Sequence, residues 1–263
     1  MIIDFHTHIW PVAVARKALG GNVPDMPLFG DGTIRGLTMA QDEAGIARSV
    51  CLAVANTPAQ LTAANGFVGS LDRQRFIPFG SVHPRASPDE NLRHLDDNRV
   101  RGVKLHPIFQ NYRLDDPALL DTLAALEDRY CVIVHVGDGG GGDGSTCTPA
   151  MLASIARTFP DLPLVACHFG GYHRLDEAED ALRGVAVMID TSWPPSLAEL
   201  EPGRVREAIR RHGVERVLFA SDWPTASPVD EIAAVRALGF HDDETELILG
   251  GNARTLLGID DPQ

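Results

Sequence analysis

The sequence predicts an α/β chain of the (β/α)8 TIM-barrel class, with residues 1–263 forming one domain. Short apolar runs alternate with amphipathic segments along the whole chain, which implies parallel strands joined by right-handed crossovers. The repeat fits eight such units into 263 residues, the usual size of that barrel. An open doubly wound sheet would call for a Gly-rich phosphate turn after the first strand, and the chain has His6-Thr7-His8 there instead.

Taken in order, the first run is Ile2–His8, in which Asp4, His6 and His8 alternate with other residues and so share one strand face. A Gly- and Pro-rich loop, Gly20–Arg35, follows it and leads to a helix over Leu37–Ala47. The run Ser49–Ala55 precedes a helix at Ala59–Asp72, and Phe76–His83 precedes one at Pro88–Asn98. Arg101–His106 carries Lys104 and His106 and leads to the helix Pro117–Arg129. Cys131–Gly137 contains His135 and runs into the glycine-rich loop Asp138–Gly144, a candidate lid, before the helix Pro149–Phe159. Leu164–Gly170 contains His168 and precedes Leu175–Leu182, Val185–Thr191 contains Asp190 and precedes Gly203–His212, and Val217–Asp222 precedes Pro228–Leu238. Strand C-termini of a barrel converge on one rim, so this array of His, Lys and Asp at strand ends is expected to meet there.

Composition narrows the function. With 23 basic and 36 acidic residues the net charge is −13, and no basic tract offsets it, which argues against nucleic-acid and anionic-membrane partners. The N-terminus has no basic flank or long apolar segment, and no run is long enough to cross a bilayer, so a cytoplasmic protein is expected. Four cysteines, Cys51, Cys131, Cys147 and Cys167, lack CxxC spacing and read as reduced thiols without a catalytic role. The expected partner is a small-molecule substrate, and a homodimer is compatible with such a barrel.

The ordered set Asp4-Phe5-His6-Thr7-His8, Gly102-Val103-Lys104-Leu105-His106-Pro107, Val134-His135-Val136, Cys167-His168-Phe169-Gly170-Gly171, Phe219-Ala220-Ser221-Asp222-Trp223-Pro224 and Gly251-Asn252-Ala253-Arg254 resembles the amidohydrolase superfamily. The resemblance is strongest to the branch typified by aminocarboxymuconate semialdehyde decarboxylase. It implies a divalent metal at the barrel rim, with His6, His8, His135 and Asp222 as ligands. His168 resembles a strand-six histidine that serves as an acid/base group in one-metal members and as a ligand in two-metal members. Lys104 falls where two-metal members carry a carboxylated bridging lysine, whereas one-metal members use a lysine there as a cation for substrate.

Three imidazoles and a carboxylate suit Zn2+ first, with Mn2+, Fe2+, Co2+ or Ni2+ as alternatives and a second ion if Lys104 is carboxylated. The resulting expectation is hydrolysis of an amide, lactone or similar bond by metal-activated water. Asp222 is the base, His168 steadies the oxyanion, Lys104 pairs with a substrate carboxylate and His106 lines the pocket. The competing enzymatic reading is non-oxidative decarboxylation of an aromatic or unsaturated acid. The resemblance implies longer insertions in those members, and this compact chain therefore leans to hydrolysis. A metal-free lactonase and a non-catalytic barrel complete the alternatives.

Overall fold

The computed structural model describes residues 1–21, 28–139 and 145–259. Eight parallel strands stand in one sheet in chain order: β1 (Ile2–Thr7), β2 (Ile46–Leu52), β3 (Phe76–Ser81), β4 (Gly102–Leu105), β5 (Cys131–Val134), β6 (Leu164–Ala166), β7 (Met188–Asp190) and β8 (Val217–Leu218). This is the expected (β/α)8 barrel order. The strands end earlier than the apolar runs suggested, because the chain turns outward just where the polar residues begin. His83 and His106 are followed by prolines, and His168 and Asp222 take φ values of 58° and 60°, in the left-handed region that L-residues seldom occupy.

Several of the helices after strands start at sites that pair a capping side chain with a proline, which has no N–H to leave unsatisfied at the first helical position. Ser87 accepts from Glu90 N before Pro88, Thr148 from Met151 N before Pro149, and Ser227 from Asp230 N before Pro228. Four α-helices among the described residues go beyond the sequence expectation: Val12–Gly21, Pro107–Gln110, Asp242–Glu246 and Asn252–Leu257. Val12–Gly21 takes in the start of the predicted Gly20–Arg35 loop, of which residues 22–27 lie outside the described residues. Pro107–Gln110 forms a single turn after β4. Residues 140–144 of the second glycine-rich loop also lie outside the described residues.

The chain divides into two compact units. The first comprises Met1–Cys51, Gln74–Phe76 and Asp190–Gln263. In it β1 pairs with β2 in the register Ile2↔Ile46 to Thr7↔Cys51, while Phe5 N donates to Phe219 O at 2.9 Å just past β8. Ile3, Phe5, Val50, Leu218 and Phe219 are buried around these strands, and each removes apolar surface from water. Asn252 secures the unit's last helix: its amide donates to Val214 O and Val217 O, both at 2.8 Å. The Gly-Asn-Ala-Arg motif is thus a structural clamp on the entry to β8.

The second unit comprises Leu52–Arg73 and Ile77–Ile189 and carries the ladder from β3 to the start of β7. Gly102 opens β4 where a side chain has no room, since a Cβ there would lie 2.5 Å from Cys131 O and 2.4 Å from the Phe79 ring. Gln110 ties the short turn after β4 to its neighbours by donating to Ala55 O and Val82 O, at 3.0 and 2.8 Å. All four cysteines are buried, and burial raises Cys51 and Cys131 to about 12 and Cys147 to about 11, which keeps these three thiols protonated. No helix among the described residues is long and apolar enough to cross a membrane.

Candidate metal centre and active site

In the first unit, β1 delivers His6, and His8 lies one residue past its end. The turn after β8 brings Asp222 back to them, held by Asp222 N donating to His6 O at 2.9 Å and His8 N to Trp223 O at 2.8 Å. His6 Nε2 lies 3.1 Å from His8 Nε2 and 3.3 Å from Asp222 Oδ1, and His8 Nε2 lies 3.6 Å from the same oxygen. A cation about 2.0–2.1 Å from each ligand in tetrahedral array separates the ligand atoms by about 3.3 Å, so the triangle has the right edge lengths for one divalent ion. The donor set is also right: two imidazole nitrogens and a carboxylate oxygen, gathered with His6 at 1% and Asp222 at 9% exposure.

Asp190 decides which nitrogen His6 presents. Its Oδ2 lies 2.9 Å from His6 Nδ1, and its Oδ1 accepts from Ser192 Oγ at 2.6 Å and Ser192 N at 3.2 Å. A carboxylate accepts only, so Nδ1 carries the proton and Nε2 keeps a lone pair that a cation could take. Asp4 shares the strand face of His6 but does a different job. It is fully buried, accepts from Ser221 Oγ at 2.6 Å and Ser221 N at 3.0 Å, and is pushed up to about 7 by burial against those hydrogen bonds. It ties β1 to the turn that carries Asp222.

The second unit gathers Lys104, His106, His135 and His168. His135 Nε2 faces the Asp138 carbonyl at 2.7 Å, so this nitrogen donates and Nδ1 is the lone-pair atom; Nδ1 lies 3.1 Å from His168 Nε2. That is again the arrangement of a ligand histidine backed through its other nitrogen. His106 stacks on His135 with ring centroids 4.2 Å apart and 7° between planes, and Phe109 covers its other face at 3.9 Å. Its Nδ1 also caps the Pro107 turn, accepting from Phe109 N at 3.4 Å. Lys104 is fully buried, with Nζ donating to Cys167 Sγ at 3.0 Å.

His83, at the end of its apolar run, accepts from Arg85 N through Nδ1, and burial lowers its pKa, which suits a neutral structural histidine. Trp193 and Trp223 are buried, at 4% and 2% exposure. Sequence reasoning missed the tasks of Asp190, Ser192 and the Asp138 carbonyl. Asp190 stood out as the polar end of its run, with nothing to name its partner; a backbone carbonyl leaves no sequence signal at all.

The sequence matches the Amidohydrolase family over residues 3–259. The chain belongs to that family. An uncharacterized TIM-barrel protein from Bordetella bronchiseptica superposes with a TM-score of 0.75 at 20% identity, over 98% of each chain. A probable 2-pyrone-4,6-dicarboxylic acid hydrolase from Acinetobacter baumannii gives 0.70 at 18%, over 98% of this chain and 99% of the other. A dihydroxybenzoic acid decarboxylase from Polaromonas, with bound manganese and the inhibitor 2-nitroresorcinol, gives 0.72 at 15%, over 99% and 98%. At these identities the likeness is one of fold. No curated protein matches the sequence. The likeness of fold spans nearly all of both the hydrolase and the decarboxylase.

Proposed function

We propose that this amidohydrolase-family protein is a metal-dependent hydrolase of an amide, lactone or similar bond in a small carboxylate-bearing metabolite. The observation that carries the reading is the His6–His8–Asp222 triangle with edges of 3.1, 3.3 and 3.6 Å. His6 Nε2, His8 Nε2 and Asp222 Oδ1 would hold the ion, and the family resemblance adds His135 through Nδ1, the nitrogen that its own tautomer frees. Zn2+ suits these donors, and the manganese in the decarboxylase of like fold makes Mn2+ the next candidate. When bound, such an ion supplies Lewis acidity and brings the pKa of a coordinated water toward about 7.

The protein's own groups then do the proton work. Asp222 is the ligand carboxylate that solvent reaches, its side chain 13% exposed, and it takes the proton of the attacking water and passes it to the leaving group. Once His135 Nδ1 is engaged, His168 Nε2–H no longer has that nitrogen as acceptor and turns its proton to the substrate oxygen. Lys104 and His106 are the proposed substrate contacts.

A second reading, decarboxylation of an unsaturated or aromatic acid, is favoured by the same His135–His168 pair at 3.1 Å, since it can deliver a proton to carbon. Reaction in H2 18O with a panel of lactones, amides and aromatic acids separates the two. Hydrolysis places one solvent oxygen in the product; decarboxylation releases CO2 and leaves the product free of label. If neither occurs when Zn2+ or Mn2+ is supplied and the protein binds neither ion, the metal-free or non-catalytic alternative takes its place.

A further inference from the structure

We infer that Arg174 is a positioning residue that sets the tautomer of His135 by anchoring Asp138. This rests on the proposed use of His135 Nδ1 as a ligand. The chain leaves β5 and passes the Nε2 edge of His135 so closely that a Cβ at Gly139 would lie 3.3 Å from Cε1 and Nε2, and Gly139 has φ +120°, which favours glycine. This crossing puts the Asp138 carbonyl 2.7 Å from Nε2.

Two anchors hold that peptide, both from the segment that follows His168. Asp138 N donates to Tyr172 O at 3.0 Å, and Asp138 Oδ1 accepts from Arg174 Nε at 2.7 Å. Arg174 is itself fixed, since its N–H donates to Gly171 O at 2.9 Å and its Nη1 reaches Glu177 Oε2 at 3.1 Å. The ion pair is too open to matter much for stability, with side chains 30% and 34% exposed. Its consequence is directional. It keeps a pure acceptor on Nε2, so the ring proton stays there, while His106 stacked on the ring face blocks a compensating rotation. Without Arg174, Asp138 can turn, water can replace the carbonyl, and the proton is free to move to Nδ1.

The test uses the full chain as wild type, R174M and R174K. The tautomer of His135 is read in the metal-free protein from 15N shifts after 15N-histidine labelling. Zn2+ affinity is read by chelator competition, and the metal-free melting temperature by calorimetry. The expected result for R174M is a mixture of His135 tautomers and Zn2+ binding weaker by about three- to tenfold, with an unchanged melting temperature, and R174K recovers most of both. The inference is overturned if His135 keeps its proton on Nε2 in R174M, or if the loss of affinity only follows a loss of stability. A wild type that binds no Zn2+ would instead count against the proposed function, and the tautomer would still decide the role of Arg174.

Discussion

Replacing Asp190 by Asn tests the metal centre through a residue that is not itself a proposed ligand. Ser192 N–H can only donate, and it points at Asp190 Oδ1 from 3.2 Å with Ser192 Oγ at 2.6 Å. The amide oxygen of an Asn therefore occupies that position, which turns the NH2 group toward His6 Nδ1, 2.9 Å from the present Oδ2. Two donors then face each other, and His6 relieves the clash by moving its proton to Nε2. That nitrogen is the one 3.1 Å from His8 Nε2 and 3.3 Å from Asp222 Oδ1, so the cation must first displace a proton. Loss of such a backing group weakens metal binding by about 10- to 100-fold, which is about 1.4–2.7 kcal/mol. Without metal the new Nε2–H finds an acceptor in Asp222, so the melting temperature of the metal-free protein should scarcely change. Competition against a fluorescent chelator for Zn2+ and Mn2+ measures the first effect, and calorimetry after exhaustive chelation the second. An affinity within twofold of wild type would refute the argument that Asp190 selects the nitrogen His6 presents.

Other expectations follow from single sites. D222N keeps the shape of the ligand triangle but removes the base, and turnover on any hydrolysed substrate should fall about 10²–10⁴-fold; an unchanged kcat would remove Asp222 from the proton transfer. Glu231 is buried and its pKa is raised from 4.5 to about 7, mainly by desolvation against hydrogen bonds from Ser196 and Leu197. The folded state thus binds this proton more tightly than the unfolded one. Its contribution is fully present below about pH 4.5 and is lost as pH rises through about 7, a change of about 3 kcal/mol. In E231Q that slope should disappear, so urea titrations at pH 4.5 and 8 should show the mutant gaining on wild type at the higher pH; parallel curves would reject the assignment. G102A forces a methyl against Cys131 O at 2.5 Å and the Phe79 ring, and should cost about 1–3 kcal/mol in the same titrations, with no change in metal affinity per folded chain.

The fold was legible because its signal is repeated. One apolar run in isolation, such as Val217–Asp222, is ambiguous, and in the structure it supplies only a two-residue strand, Val217–Leu218. Eight of them in alternation with helices leave little choice of architecture. The candidate ligands His6, His8 and Asp222, which the structure brings together, were open to a related argument. Metal chemistry restricts side-chain type, and a barrel restricts where along a strand that type can stand.

What the sequence did not carry is the orientation of those side chains. Asp4 and Asp190 look alike as acids at the ends or middles of apolar runs. Yet Asp4 is consumed by Ser221 and Asp190 by His6 and Ser192, a distinction that depends on contacts 217 and 184 residues apart in the chain. Lys104 and His106 show the same limit. Side-chain type suggested contacts to substrate, but nothing in it told that Lys104 donates to a buried thiol or that His106 sits between two rings. The Asp138 carbonyl is the extreme case, because every residue has one and only its place against His135 Nε2 gives it a role. Residue identity therefore names the groups able to hold a metal, and the hydrogen-bond partners behind them decide which atom each group offers. On the proposed roles of Asp190 and Arg174, a sequence of this family that kept every candidate ligand would still bind an ion more weakly after a change at either position.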